Sequence, residues 1–279
     1  MKLKKFISFV IVSILFSCNF AFPQAKQNVF GLNEEEHYYC DTFYDQSGSG
    51  NTTVTSTLEY DHYEMDDVHL ERFCPLYTAI NHVNNCAPAA GTIVVGYHDY
   101  TCVDLIPDYT PGIYYGGMFF NYPQNYKVDN VQESLYTLMG TNTIQPGTSI
   151  SQFQTGLTSY VTSKNYSISY SSCGSSFAIS TAVGHLNNGL PIALFMYGFV
   201  YYPDVGFFIG DNGYSLVGRS NPNGHVAVIF GYRQYRFYDS NDELIETDNF
   251  LIVSYGDATQ GFIDMGQTTI DAGYAISIS

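Results

Sequence analysis

A cysteine and a histidine in this 279-residue chain have the surroundings of a pair that cleaves amide bonds. Cys86 precedes Pro88, which suits a first helical turn, and apolar residues then recur at helical spacing, so a helix is predicted to begin there. The N-terminus of a helix favours a thiolate, which is the attacking form of cysteine. His225 follows Gly224 at the head of an apolar strand and could accept the thiol proton. Together they indicate nucleophilic catalysis.

A catalytic histidine works best when a third group fixes its ring, and the sequence offers two candidates. The strand predicted at residues 250–255 should return antiparallel beside His225 through a hairpin. Ser254 lies near its far end and Asp257 follows shortly after. Because a carboxylate accepts the stronger, charge-assisted hydrogen bond, we expect Asp257 to orient His225. Ser254 is the alternative, and a dyad without a third member is another.

The elements that must position these residues are helices in the first half and strands in the second. Apolar periodicity predicts helices over residues 86–97, 128–139, 149–164 and 176–188. Alternation and β-branched runs predict strands over residues 52–60, 191–194, 224–232 and 250–255. Helices followed by an antiparallel sheet make the fold class α+β.

The first 25 residues have the form of an export signal. A lysine-rich head is followed by an apolar run to Phe16, which is typical of a secretory signal peptide over residues 1–25. We therefore expect a secreted or cell-surface protein. The residues before Cys18 also resemble a lipoprotein box, so a lipid anchor at Cys18 is the alternative. No later segment reaches 18 apolar residues, and no membrane span is expected in the mature protein.

Charge and composition exclude some partners. The chain has 10 Lys+Arg against 26 Asp+Glu, a net charge of −16, whereas nucleic-acid binding depends on basic patches; we expect no nucleic-acid partner. With 45% hydrophobic and 13% charged residues, most of the chain should be folded. The acidic, histidine-containing stretch 61–69 has no recognised metal-ligand spacing, so neither a metal nor a cofactor is expected.

The cysteine count predicts one unpaired thiol. Five cysteines remain after the leader is removed, and exported proteins tend to pair their thiols. We expect Cys86 to be free and the other four to form two disulfides, although several buried thiols are the alternative. The four are Cys40, Cys74, Cys102 and Cys173.

Several blocks of the sequence resemble papain-like cysteine peptidases, especially bacterial bacteriocin-leader-processing and streptopain-like thiol peptidases. The blocks are residues 85–90, 185–192, 224–232 and 250–263. The resemblance implies a papain-like α+β domain over residues 74–279. In it, the N-terminal helical part carries the Cys86 helix, which packs on a C-terminal antiparallel sheet.

The resemblance also implies an oxyanion hole and shows where the chain departs from the family. The family has a glutamine about six positions before its cysteine; here Asn81 is nearest and Asn84 is a second candidate. Ala87 stands where glycine is usual. Ser254 aligns best with the asparagine of streptopain-like proteins, so an inactive relative is a further alternative.

The function implied is that of a secreted thiol peptidase which acts on peptides or proteins through a Cys86 acyl-enzyme. A cell-wall amidase of the Cys/His type is one alternative, and a non-catalytic surface or adhesion module on a peptidase-like fold is another. Residues 26–73 form either an inhibitory pro-segment or an N-terminal strand layer. Substrate preference, disulfide connectivity and oligomeric state are left open by the sequence.

Overall fold

The computed structural model describes most of the chain from residue 37 onward. The described ranges are 37–39, 52–80, 82–109, 112–115, 118–121, 124–174, 177–203, 207–210 and 214–279. The expected signal peptide and lipid-anchor position, together with Cys40 and Asn81, lie outside them. The described residues form four helices and a large antiparallel sheet, which confirms a mixed fold of helices with antiparallel strands.

The four predicted helices are present with shifted ends. Asn125 caps α2, its side chain accepting from the N–H of Lys127, so this helix begins two residues earlier than expected. A turn with positive φ at Gly174 and Phe177 delays the start of α4. The helices are α1 (Cys86–His98), α2 (Tyr126–Leu138), α3 (Ile150–Ser163) and α4 (Ile179–Asn187). None of the helices in the described ranges is long and apolar enough to cross a bilayer.

Three of the four predicted strands are longer than expected, whereas the one predicted over residues 52–60 ends at Leu58. The strands are β1 (Tyr38–Tyr39), β2 (Thr52–Leu58), β3 (His62–His69), β4 (Gly112–Tyr115), β5 (Met118–Asn121), β6 (Thr148–Ser149), β7 (Ile168–Ser172), β8 (Ile192–Pro203), β9 (Phe207–Ile209), β10 (Tyr214–Tyr238), β11 (Leu244–Ser254), β12 (Gln260–Asp264) and β13 (Thr269–Ile278).

Strand β10 organises the main sheet. The order is β2-β10-β11-β12-β8-β13-β7, with β3 and β9 also paired to β10, and all pairings are antiparallel. A further pairing of β10 with β8 closes β10, β11, β12 and β8 into a ring. β2 and β3 thus belong to this sheet, while β1 pairs with β6 and β4 with β5 in two small sheets.

Helix α1 is buried along its whole length because it packs on two sides. On one side it packs on the C-terminal part of α2, where a Cβ placed on Gly91 would lie 3.0–3.2 Å from the side chains of Met139 and Leu135. On the other side, a Cβ at Gly256 would lie 3.2 Å from the Cβ of Ala89. The helix that begins at Cys86 therefore lies between the other helices and the end of the sheet.

The expectation of two disulfides is wrong. Cys74, Cys102 and Cys173 are free, buried thiols, and two disulfides would have needed all three together with Cys40. The sulfurs are enclosed separately: the Cys102 thiol donates to the Ile278 carbonyl at 3.4 Å, and Cys173 lies against Gly273. Burial raises the pKa of Cys173 to about 11, so this thiol stays protonated at neutral pH.

Candidate active site

Cys86 is the first residue of α1, and its sulfur faces a main-chain carbonyl. The side chain is 1% exposed, and its thiol donates to the carbonyl oxygen of Tyr39 in β1 at 3.8 Å. Asn85, the N-cap residue, makes no side-chain cap, so the positive end of the helix dipole is not masked by that side chain. A peptide group thus lies against a sulfur at the start of a buried helix.

A buried glutamine from α2 fixes the loop that leads to Cys86. The Oε1 of Gln132 accepts from the N–H of Ile80 at 2.6 Å and from the Nδ2 of Asn85 at 2.7 Å. Its Nε2 donates to the Thr78 carbonyl at 3.2 Å. Gln132 is fully buried, so these bonds are made out of contact with water. It fixes the turn before Cys86.

Our sequence reasoning missed Gln132, although a signal for it was present. The resemblance to papain-like peptidases implies a glutamine before the cysteine, whereas Gln132 follows Cys86 in the chain. Gln132 instead occupies the apolar stripe of α2, whose other buried positions are Val128, Val131 and Leu135. An amide on an otherwise apolar helical stripe needs a buried partner, so this position indicates a structural or functional contact.

Of the two candidate residues for the oxyanion hole, the structure describes only Asn84. Asn81 lies outside the described residues. Asn84 is buried with a φ of 61°, and its Nδ2 donates to the Oδ1 of Asn142 at 2.6 Å. One of the two side-chain N–H groups of Asn84 is therefore engaged with the loop after α2.

His225 is enclosed within the sheet. It pairs with Met196 of β8, is 1% exposed, and has its Nε2 3.2 Å from the carbonyl oxygen of Tyr255. Since a carbonyl only accepts, this Nε2 carries the proton and Nδ1 holds the lone pair. Burial lowers the pKa of His225 to about 4, against the smaller opposing effect of the Tyr255 carbonyl. The ring is neutral at pH 7.

Strand β11 returns beside β10 as predicted, but the acceptor for the Nε2 of His225 is a main-chain carbonyl rather than Asp257 or Ser254. Ser254 pairs with Val228, and its buried hydroxyl has no hydrogen-bond partner among the described residues. The Oδ1 of Asp257 accepts from the N–H and the hydroxyl of Thr259, at 3.0 and 2.6 Å, as in a tight turn. The main-chain carbonyl of Tyr255, which lies between the two candidates, fixes the ring of His225 instead.

Two segments connect the surroundings of Cys86 with those of His225. The first is β1: Tyr39 contacts the Cys86 sulfur, and a Cβ at Gly224 would lie 3.1 Å from the Tyr39 ring. The second is the end of β11, where Tyr255 accepts from His225 and the next residue, Gly256, reaches α1. The structure brings both residues to the junction of α1 with the sheet.

The side chains of β10 alternate between the two faces of the sheet, and this alternation points His225 away from β1 and Cys86. Successive side chains of a strand point to opposite faces. Gly224 faces β1, so His225 faces the other side of the sheet, where it lies beside Phe199 and Tyr255 with ring centroids 5.7 and 6.0 Å away. In this state Cys86 and His225 are turned toward different main-chain carbonyls.

A second acidic residue, which the sequence did not indicate, reaches β1 from β13. The register between β13 and β8 shifts between Ile270 and Ala272, so Asp271 is the extra residue of a β-bulge. Its Oδ2 accepts from the hydroxyl of Tyr39 at 2.8 Å and lies 2.9 Å from the Nδ1 of His37. Burial, reinforced by Asp271, raises the pKa of Tyr39. Asp271 therefore binds the neutral phenol of Tyr39, the residue whose main-chain carbonyl contacts Cys86.

Comparisons of the chain with protein-family models, curated proteins and solved structures found no match. The resemblance to papain-like peptidases thus depends on the sequence blocks named above.

Proposed function

We propose that this protein is an exported thiol peptidase of papain-like fold that hydrolyses peptide bonds through an acyl-enzyme on Cys86, with His225 as base and acid. One observation supports the proposal most directly. The carbonyl oxygen of Tyr39, in an extended and β-paired segment, lies 3.8 Å from the sulfur of Cys86 at the start of a buried helix. A scissile carbonyl must occupy this position before attack.

The reaction uses the sulfur, one imidazole nitrogen and the helix start. Nδ1 of His225 accepts the thiol proton as the sulfur of Cys86 bonds to the carbonyl carbon, and the helix N-terminus stabilises the negative oxygen. The C–N bond then breaks and the proton passes to the departing amine, leaving a thioester. Water breaks the thioester, which releases a carboxylic acid and restores the thiol.

The state described here is closed. Tyr39 covers Cys86, and the buried imidazole of His225 is neutral with a pKa of about 4. Turnover requires the segment 37–39 to leave. It also requires the backbone of β10 to rearrange near its register irregularity between Asn221 and Gly224, because the strand now holds His225 on the face opposite to the sulfur. Contact with water would then restore the pKa of His225 toward 6.5. We therefore assign residues 37–39 to an inhibitory pro-segment, whereas β2 and β3 belong to the sheet.

A non-catalytic role on the same fold is the second candidate, and the surroundings of His225 favour it. A neutral, fully buried histidine that donates to a main-chain carbonyl also serves as a core residue. In that case Cys86 would be a structural thiol.

The test is turnover of the full-length protein on a broad peptide library and on peptidoglycan, with and without a thiol alkylator. Cys86→Ser and His225→Ala should each lower peptide hydrolysis about a thousandfold or more, and the double variant should lose little more, because the two act in one step. Cys102→Ser, which replaces a buried thiol elsewhere, should keep the rate.

Three results would overturn the proposal. Losses that multiply in the double variant would exclude a shared step. Hydrolysis of peptidoglycan alone would favour an amidase, and inactivity of the protein on both substrates, also after limited proteolysis of its N-terminal segment, would favour the non-catalytic role. Export is tested separately: the N-terminus of the secreted protein should lie between Cys18 and Lys26.

A further inference from the structure

We propose that the cavity around Tyr39 is a subsite for the phenol of a tyrosine in a peptide ligand, which the chain's own Tyr39 fills in this structure. The direction of cleavage inferred below depends on the proposed peptidase activity. The recognition of the phenol and the protection of Cys86 do not depend on it.

The subsite encloses a ring completely. Tyr39 is 0% exposed, and its ring meets Phe195 edge-on with centroids 5.1 Å apart. Gly224 forms the floor, where a Cβ would lie 3.1 Å from the Tyr39 ring. Any side chain at position 224 would therefore encroach on the ring, and a glycine there keeps the cavity deep enough for an aromatic side chain.

One carboxylate distinguishes tyrosine from phenylalanine. Asp271, at its β-bulge, accepts the Tyr39 hydroxyl at 2.8 Å, and its side chain is 19% exposed. A hydrogen bond to a charged acceptor is stronger than a neutral one, and phenylalanine would leave the carboxylate without this donor. The bulge directs the side chain into the cavity, so the preference is fixed by the backbone of β13.

The main chain of the occupant is held independently of its sequence. Tyr38 and Tyr39 pair antiparallel with Ser149 and Thr148 of β6. Ser149 also forms a capping box with Gln152 at the start of α3, which fixes β6 at the helix N-terminus. A ligand peptide can thus add as an extended strand, with affinity from main-chain bonds and selectivity from the phenol subsite.

The position of the occupant's carbonyl sets the bond that would be cleaved. The carbonyl of Tyr39 itself lies 3.8 Å from the Cys86 sulfur. A ligand tyrosine in the same place would put its own carbonyl group next to the sulfur. If the chain is a peptidase, it cleaves on the carboxyl side of tyrosine.

The experiment measures the rate at which iodoacetamide alkylates Cys86 in the folded full-length protein, by mass spectrometry of the Cys86 peptide. Tyr39→Ala should raise this rate about tenfold or more, because the covering carbonyl loses its anchor. In that variant, N-acetyltyrosine amide should restore protection in a saturable way. N-acetylphenylalanine amide should need about tenfold more ligand, as expected for one hydrogen bond to a charged group.

Matched variants keep the test interpretable. Adding Asp271→Asn to Tyr39→Ala should reduce the preference for tyrosine over phenylalanine, and Tyr126→Ala, at an exposed tyrosine of α2, should leave alkylation unchanged. Labelling of Cys102 and Cys173 reports global opening. If Tyr39→Ala opens globally, Tyr39→Phe serves in its place, and a faster rate at Cys86 alone is expected because only the hydroxyl anchor is lost.

Two results would overturn the proposal: unchanged Cys86 alkylation in both folded Tyr39 variants, or equal protection by the two amides. Neither readout needs turnover. A protein that lacks peptidase activity but still selects the tyrosine amide would therefore contradict the peptidase proposal and support the subsite. An active peptidase without this selection would contradict the subsite and support the peptidase proposal.

Discussion

The two halves of β10 place their polar groups in opposite surroundings. In the outer half, which pairs with β3 and β11, Arg233 binds Asp67 at 2.8 Å and Arg236 binds Glu64 at 3.1 Å at the protein surface. In the inner half, which pairs with β8 and the end of β11, His225 is buried, and so is Ser254 of β11 opposite Val228. One strand thus joins a solvated ladder of ion pairs to a stretch with buried polar groups.

The difference shows where the fold retains costly groups. A buried polar atom without a partner costs about 1–3 kcal/mol, whereas exposed ion pairs contribute about 1 kcal/mol or less. The buried hydroxyl of Ser254, which pairs with Val228, and the depressed pKa of His225 both occur at the middle of β10. These buried groups thus lower the stability of the fold, whereas the ion pairs of the outer half do not.

The largest effect on stability is expected at Gln132, which supports the buried region from α2. Gln132→Leu should lower the free energy of unfolding by about 3 kcal/mol, because it leaves the N–H of Ile80 and the amide of Asn85 without their acceptor. Urea denaturation measures the loss. Gln154→Leu, at a half-buried position of α3, is the control and should stay within about 0.5 kcal/mol. Equal losses in the two variants would refute the role of Gln132.

His225 should make the stability of the buried half depend on pH. Its pKa is about 4 in the folded protein against 6.5 ordinarily, so between these values the unfolded chain binds more protons. Stability therefore falls as the pH decreases from 6.5 to 4. His225→Asn should remove this part of the fall, worth up to about 3 kcal/mol at pH 4.

The comparison with the variant is needed because other buried groups titrate in the same window. His98, with a pKa lowered to about 4 by burial, acts in the same direction. Asp99 acts oppositely, because burial raises its pKa to about 6 and the folded state then binds the extra proton. Parallel pH profiles for the wild-type and His225→Asn proteins, measured by urea denaturation, would show that His225 does not titrate as stated.

Ser254→Ala should have a smaller effect of the opposite sign. Removing a buried hydroxyl without a partner should leave stability unchanged or raise it by about 1 kcal/mol. Turnover should change only a few-fold, as it should in Asp257→Asn, because the Tyr255 carbonyl holds His225. A loss of turnover by two orders of magnitude in either variant would instead make that residue the orienting group.

The smallest effect is expected in the outer half. Arg233→Met should cost about 0.5 kcal/mol, since the pair with Asp67 is partly exposed, and the cost should shrink in 1 M salt, where such pairs are screened. Thermal unfolding at low and high salt measures it. A salt-independent loss would point to lost packing over the Phe262 ring, whose centroid lies 5.4 Å from the guanidinium.

Local patterns predicted the elements better than they predicted the site. The start of α1 at Cys86 and the return of β11 beside β10 follow from helical spacing and hairpin geometry. The contact of Tyr39 with Asp271 does not, because it joins residues 232 positions apart through a bulge that leaves no local signature.

The cysteine arithmetic failed for a related reason. The number of cysteines and an oxidising compartment predict how many disulfides could form. A disulfide forms only where the fold brings two sulfurs together. Cys102 is instead satisfied by the Ile278 carbonyl. Tertiary contacts decided the outcome in both cases.

The closed ring of β10, β11, β12 and β8 also affects how the protein folds and opens. Its closure joins β8 to β12 across a long stretch of intervening chain, so much ordering must precede the last pairing, and folding should take milliseconds to seconds. Once the ring is closed, we expect its amide hydrogens to exchange with solvent more slowly than those of strands outside it. β2 and β3 pair with β10 from outside the ring and can detach on their own, so their amides should exchange first.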